Sequence, residues 1–195
     1  MQDKLLKNHE KAFLEFARAV ISHVFDKNSR PEEEIVNIPS SLLDQKRGVF
    51  VTLHKRGKLR GCIGNLEPIK TLKEAIEENA RHAAFKDTRF SPLTPGELDD
   101  TTIEISILTS PEKLEYHKIE ELKSALTPLQ DGVIIQHEFK RATFLPQVWE
   151  QLPAHDDFLG HLCMKAGLDS KAWKKEKIEV FTYQVESFEE NSQTK

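Results

Sequence analysis

A chain of 195 residues with 38% apolar and 31% charged side chains is of one-domain size and too apolar to stay disordered. Its formal net charge of −4 is spread along the chain, so no global field draws it to nucleic acid or anionic lipid. No apolar run approaches the ~20 residues that span a bilayer, and two cysteines, Cys62 and Cys163, are too few for a disulfide framework. The expectation is a cytoplasmic protein with two free thiols and no membrane contact.

Leu5, Leu6, Phe13, Phe16, Ala17, Val20, Ile21 and Val24 recur at three- and four-residue intervals, which predicts an amphipathic helix ended by Asn28-Ser29-Arg30-Pro31. The acidic stretch from Glu32 to Ser41 reads as a surface connection. From Gly48 the period becomes two: Val49, Val51 and Leu53 alternate with Phe50, Thr52 and His54, as in a strand with one buried face. Lys55-Arg56-Gly57-Lys58 supplies a turn and Leu59 to Ile63 returns as a partner strand. Alternation then puts Leu59, Gly61 and Ile63 on one face, and Arg60, Cys62 and Gly64 on the other.

Thr71-Leu72-Lys73-Glu74 is a capping box that opens a helix with an inner stripe through Ala84. After the proline-rich loop from Asp87 to Gly96, Ile103, Ile105 and Ile107 alternate with Glu104 and Ser106 in the clearest strand of the chain. A short helix over Ile119 to Leu126, strands at Val133 to Gln136 and Arg141 to Phe144, and helices near Pro146 and from Asp156 to Gly167 follow. A final strand from Ile178 to Val185 precedes a polar tail, 186–195. No repeat or composition shift divides the chain, so a single domain is expected.

Chemistry points first to Arg60-Gly61-Cys62-Ile63-Gly64. A free thiol ionises near pH ~8.5, and nearby cations such as Arg60, Lys55, Arg56 and Lys58 favour the nucleophilic thiolate. The flanking glycines admit a ligand, and the amides of Gly61 to Gly64 are candidates for an anion-sized hollow. With equal weight, Cys62 reads as a small hydrophobe packed in a tight turn. The same four residues match the backbone-clamping loop of KH modules, but such loops join helices and this one ends a strand. Nucleic-acid binding through the basic turn 55–60 therefore ranks last.

Asp87, Arg89 and Phe90 couple an acid, a cation and an aromatic ring in a proline-stiffened loop, suited either to binding or to a latch in which Asp87 caps amides and Phe90 plugs the core. If Glu104 is buried it needs a cation, with Arg60 or Arg89 as candidates. His155, His161 and Cys163 lack zinc-ligand spacing, His82 reads as structural, and neither a metal site nor a cofactor motif is evident.

In order, Leu59-Arg60-Gly61-Cys62-Ile63-Gly64, Asp87-x-Arg89-Phe90-x-Pro92-Leu93, Ile103 to Leu108 and Ala142-Thr143-Phe144-Leu145-Pro146-Gln147-Val148 resemble the motifs of the AMMECR domain family. Its microbial members are called AmmeMemoRadiSam system protein A, and the resemblance runs from about Leu5 to Val185. It implies an α+β fold, a mainly antiparallel sheet flanked by helices, with a larger and a smaller lobe and a cleft that includes the cysteine-bearing turn. It also implies a Memo-like partner related to metal-dependent dioxygenases and a radical S-adenosylmethionine partner, hence a shared modification reaction. No settled activity comes with it. Cys62 is then the candidate catalytic residue, and Arg60, Gly61, Gly64, Asp87, Arg89 and Glu104 are candidates for substrate binding. An enzyme or enzyme subunit using Cys62 and a non-catalytic binding module with a structural Cys62 both fit the residues.

Overall fold

The computed structural model describes residues 6–175 and 178–191. Leu5 and residues 192–195 of the expected tail lie outside them. Among the described residues no helix is long and apolar enough to cross a membrane. The elements run α1 (Glu10–Phe25), α2 (Pro31–Glu34), α3 (Ser40–Leu43), β1 (Val49–Lys55), β2 (Lys58–Asn65), α4 (Leu72–Phe85), α5 (Pro95–Leu98), β3 (Thr101–Leu108), β4 (Glu112–Leu114), α6 (Ile119–Ala125), β5 (Gly132–His137), β6 (Lys140–Phe144), α7 (Val148–Gln151), α8 (His155–Lys165), α9 (Ala172–Lys175), β7 (Glu179–Tyr183) and β8 (Val185–Glu189). The chain divides into two compact units, one made of the residues up to Leu108 with those from Glu186 on, the other of Thr109–Val185. There are two four-stranded sheets with helices beside them, so the α+β class expected from the sequence holds.

The first sheet has the order β2-β1-β3-β8, and β1 pairs antiparallel with both β2 and β3. Period-two alternation sends Val49, Val51, Leu53, Ile103, Ile105 and Ile107 to one face, where α1 and α4 bury them. Burial of such side chains is worth roughly 1.5–3 kcal/mol each. The β1–β2 turn has positive φ at Arg56 (52°) and Gly57 (72°), the two-residue geometry that matches strand twist. Helix α4 starts on the capping box expected from the sequence, Thr71 Oγ1 accepting from Glu74 N at 3.3 Å and Glu74 Oε2 accepting from Thr71 N at 3.0 Å.

Gly61 sets how closely α4 approaches the hairpin. A Cβ built there would lie 2.2 Å from the carbonyl oxygen of Ala83, a backbone atom that cannot rotate away. At Gly64 the obstacle is the ring of Phe50, its cross-strand partner, at 2.2 Å.

β4, α5 and α9 go beyond the elements expected from the sequence, and two further segments differ from expectation. The connection from Glu32 to Ser41 contains α2 and the start of α3, and it buries Ile35 and Ile38, with Leu42 just beyond. Apolar spacing there outweighs the prolines. The polar tail instead supplies β8 beside β3: Phe188 is buried against the ring of Phe13, and Glu190 accepts from Arg18 Nε at 2.6 Å. A single apolar residue in an acidic segment gave little sequence signal for a strand.

In the second unit the sheet order is β4-β7-β5-β6, all antiparallel. Its core stacks Trp149 on Phe158 with ring centroids 3.6 Å apart, and the Trp149 indole N–H donates to the Asp131 carbonyl at 2.9 Å. Cys163 is fully buried there.

Gly61→Ala is expected to destabilise the protein by about 1–3 kcal/mol in urea unfolding, through overpacking against the α4 backbone. Gly96→Ala, whose Cβ would meet nothing within 4 Å, is expected to stay within about 0.5 kcal/mol of wild type.

Candidate functional site

β2 is the edge strand of the first sheet, and Cys62 lies at its middle, opposite Thr52 of β1. The outward backbone groups of Cys62 therefore have no neighbouring strand, and the Asp87 loop supplies side chains in its place. Cys62 N donates to Asp87 Oδ2 at 2.9 Å, while Arg89 Nη2 donates to the Cys62 carbonyl at 3.2 Å. Arg89 closes the ring by a bidentate pair with Asp87, Nε to Oδ1 at 2.9 Å and Nη2 to Oδ2 at 2.7 Å. Asp87 also accepts from Arg89 N at 3.1 Å. Hydrogen bonds from the Arg89 guanidinium, then those from the backbone of Cys62 and Arg89, hold the Asp87 carboxyl far below its ordinary range despite its burial. This is the latch arrangement, although Leu93 rather than Phe90 enters the core.

Arg60 serves a second lock. Gly61 faces Leu53 while Leu59 faces His54, so Arg60 is the extra residue of a bulge and strict alternation stops there. Its guanidinium donates to both oxygens of Glu97, at 3.2 and 3.1 Å, and to the Ser91 carbonyl at 2.9 Å. The side chain is only 12% exposed. Lys55 Nζ joins Glu97 at 2.9 Å, and these cations, Arg60 first, hold the Glu97 carboxyl far below its ordinary range. The Phe90 ring has two guanidiniums near its face, that of Arg60 at 5.8 Å and that of Arg89 at 5.5 Å from its centroid.

The sulfur of Cys62 takes no hydrogen bond from either lock. It accepts a hydrogen bond from Thr52 Oγ1 at 3.3 Å, and the residue is half-buried. Thr52 is paired on its other side with Glu104 of β3, so Cys62, Thr52 and Glu104 form one row across the sheet. This face, opposite the one under α1 and α4, also carries His54. Its Nδ1 is 3.3 Å from Glu189 Oε1 and 3.9 Å from Glu104 Oε2.

The structure thus gathers Arg60, Asp87, Arg89 and Cys62 around the β2 edge, and sets Glu104 two strands away. The cation expected beside Glu104 is neither Arg60 nor Arg89, which are paired with Glu97 and Asp87; its neighbour is His54. Gly61 and Gly64 are positions of close packing within a strand, where successive amides point to opposite sides and make no concave hollow. Since α4 packs on the Gly61 face, His82 lies across the sheet from the Cys62 sulfur, beside Glu78 at 3.8 Å. His155 and His161 contact the carbonyls of Leu126 and Asp157. Sequence reasoning missed Glu97, although Thr94-Pro95-Gly96-Glu97 carries the same capping-box signature as Thr71 to Glu74. Glu189 was hidden by the reading of a tail.

The sequence model of the AMMECR1 family matches residues 14–188. The chain belongs to the AMMECR1 family. Among the relatives, protein MJ0810 of Methanocaldococcus jannaschii is 37% identical, with 96% of this chain and 93% of the relative covered. A Methanothermobacter thermautotrophicus protein is 41% identical, covering 80% of this chain and 83% of its own. The crystal structure of the uncharacterized protein PH0010 from Pyrococcus horikoshii superimposes with a TM-score of 0.71 at 33% identity, over 92% of this chain and 90% of that one. The family read from the motifs is the one found, and the fold is that of the solved Pyrococcus protein.

Asp87→Asn is expected to cost about 1–3 kcal/mol at pH 7, since it weakens a buried set of charge-assisted bonds. A carboxyl whose folded pKa is depressed stabilises above its unfolded value of about 3.9 and loses that contribution as pH falls toward the folded value. The gap between wild type and variant, followed by urea unfolding at several pH values, is expected to stay constant down to about pH 5 and to narrow below about pH 4.

Proposed function

We propose that this AMMECR1-family protein is an enzyme, or the subunit of one, in which the thiol of Cys62 acts as a nucleophile or carrier in a modification reaction shared with Memo-like and radical S-adenosylmethionine partners. One observation carries the reading. The charged motif side chains Arg60, Asp87 and Arg89 are committed to one another, to Glu97 and to the backbone, whereas Cys62 is only half-buried and its sulfur, on a polar sheet face, accepts from the Thr52 hydroxyl. Clamping a residue's N–H and C=O while leaving its side chain available is how a reacting group is pre-positioned at little entropic cost. The Thr52 hydroxyl, 3.3 Å from the sulfur, holds it in place on the sheet face.

The roles given to the motif charges change accordingly. Arg60, Asp87 and Arg89 are positioning residues of the strand edge in this reading, and an anionic substrate group would meet only the exposed flank of Arg89, whose side chain is 55% exposed. A second reading, a binding module in which Cys62 matters for its size, is supported by the cross-strand packing of Cys62 on Thr52. Nucleic-acid binding has less support, because Lys55 and Arg60 are held by Glu97 and Arg56 pairs with Asp100 at 3.2 Å.

Iodoacetamide at pH 7 is expected to alkylate Cys62 in the folded protein at least several-fold faster than in the urea-unfolded chain, and Thr52→Val is expected to slow it. Buried Cys163 stays silent until unfolding and serves as an internal control. Labelling of folded Cys62 no faster than in the unfolded chain would favour the binding module instead.

A further inference from the structure

The geometry points to a divalent metal site formed by His54, Glu104 and Glu189 on the same sheet face, a site of the class that binds zinc, manganese, iron(II) or cobalt(II). The three residues come from β1, β3 and β8, which are successive strands in the sheet, and their donor atoms all lie within 4.8 Å of one another. Donors around one such ion at bond lengths of about 2.0–2.2 Å sit about 3–3.5 Å apart. His54 Nδ1 and Glu189 Oε1 are already at 3.3 Å, and Glu104 Oε2 at 3.9 Å from the same nitrogen needs only a small side-chain adjustment. One imidazole and two carboxylates suit borderline first-row cations.

A second observation is the charge balance. Elsewhere in this unit three more deeply set carboxylates each meet a guanidinium or ammonium: Asp87 meets Arg89, Glu97 meets Arg60 and Lys55, and Glu190 meets Arg18. Glu104 and Glu189 converge on one imidazole, and among the described residues no Lys or Arg pairs with either. Two like charges brought together by strand register repel, and a divalent ion balances them.

The outer bonds fit ligands that are held in place. Ser106 Oγ donates to Glu104 Oε1 at 3.4 Å, leaving Oε2 toward His54, and Ser106 is in turn fixed by Ser187 at 2.8 Å. Thr102 Oγ1 donates to Glu189 Oε1 at 2.9 Å. Hydrogen bonds of this kind orient metal ligands. The side chains of His54, Glu104 and Glu189 are 24%, 28% and 45% exposed, so an ion here keeps positions open to water or a substrate. Thr52 separates Cys62 from Glu104 in the row across the sheet, which puts the thiol two strand spacings, about 10 Å, from the ion. Cys62 is therefore not a ligand, and the site stands independently of the thiol's role.

The test is a titration of the metal-free, tag-free full chain with Co²⁺, read by visible absorption and equilibrium dialysis. One equivalent per chain is expected. His54→Ala and Glu104→Gln are each expected to weaken binding by about tenfold or more, the range seen even for groups that only support ligands. Cys62→Ser is expected to leave the equivalent intact. Glu104→Gln relieves the repulsion, so that the metal-free variant is expected to unfold at the same or a higher urea concentration than wild type, which separates lost ligation from lost folding. Failure to bind a stoichiometric equivalent, binding that survives both substitutions, or loss of the equivalent in Cys62→Ser would overturn the site.

Discussion

An edge strand presents backbone donors and acceptors with no strand to meet them, and at Cys62 the deficit is met by one carboxylate and one guanidinium. Asp87 takes the N–H and Arg89 supplies the carbonyl's donor, and the two are joined to each other, so the loop after α4 acts as a one-residue strand. The arrangement ties three parts of the sequence together: the hairpin, the end of the helix that lies on Gly61, and the loop that carries Phe90. It also protects the edge from pairing with another chain, a task usually left to charges, prolines or bulges. The bulge at Arg60 is a second such device, and it turns the guanidinium toward Glu97.

The hairpin thereby divides its labour between two faces. On one, Gly61 lets the backbone of α4 come within reach, and the isoleucines and valines of β1 and β3 complete a core. On the other, Thr52, His54, Cys62, Glu104 and Ser106 form a polar surface whose residue types are unusual for a sheet that needed only solubility: a thiol, an imidazole and a carboxylate, each beside a hydroxyl or a carboxylate. Charged motif residues that look like substrate ligands in one dimension are spent on holding the strand. The side chains that they do not touch are the ones left for chemistry.

Alternation made β1, β2 and β3 legible, because one face is buried and a slip of one residue would reverse every side chain. The capping box of α4 was equally plain. What stayed hidden has a physical reason in each case. β8 holds one buried side chain, Phe188, among polar neighbours, and its place depends on the Arg18–Glu190 pair across 172 positions of sequence. The cluster of His54, Glu104 and Glu189 could not be seen because two of its members are about a quarter of the chain apart and the third lay in an apparent tail. The Asp87 latch was legible as one of two readings, since a short acid followed by a cation has few ways to act other than on nearby amides.

The clamp on the Cys62 backbone is tested most directly by amide hydrogen exchange, followed residue by residue by NMR in wild type and Asp87→Asn. The amide of Cys62 is expected to be protected in wild type and to exchange at least about tenfold faster in the variant, while that of Ile63, which points into the sheet toward β1, keeps its protection. Equal protection of Cys62 in the two proteins would mean that Asp87 does not hold the edge strand and would contradict the clamp.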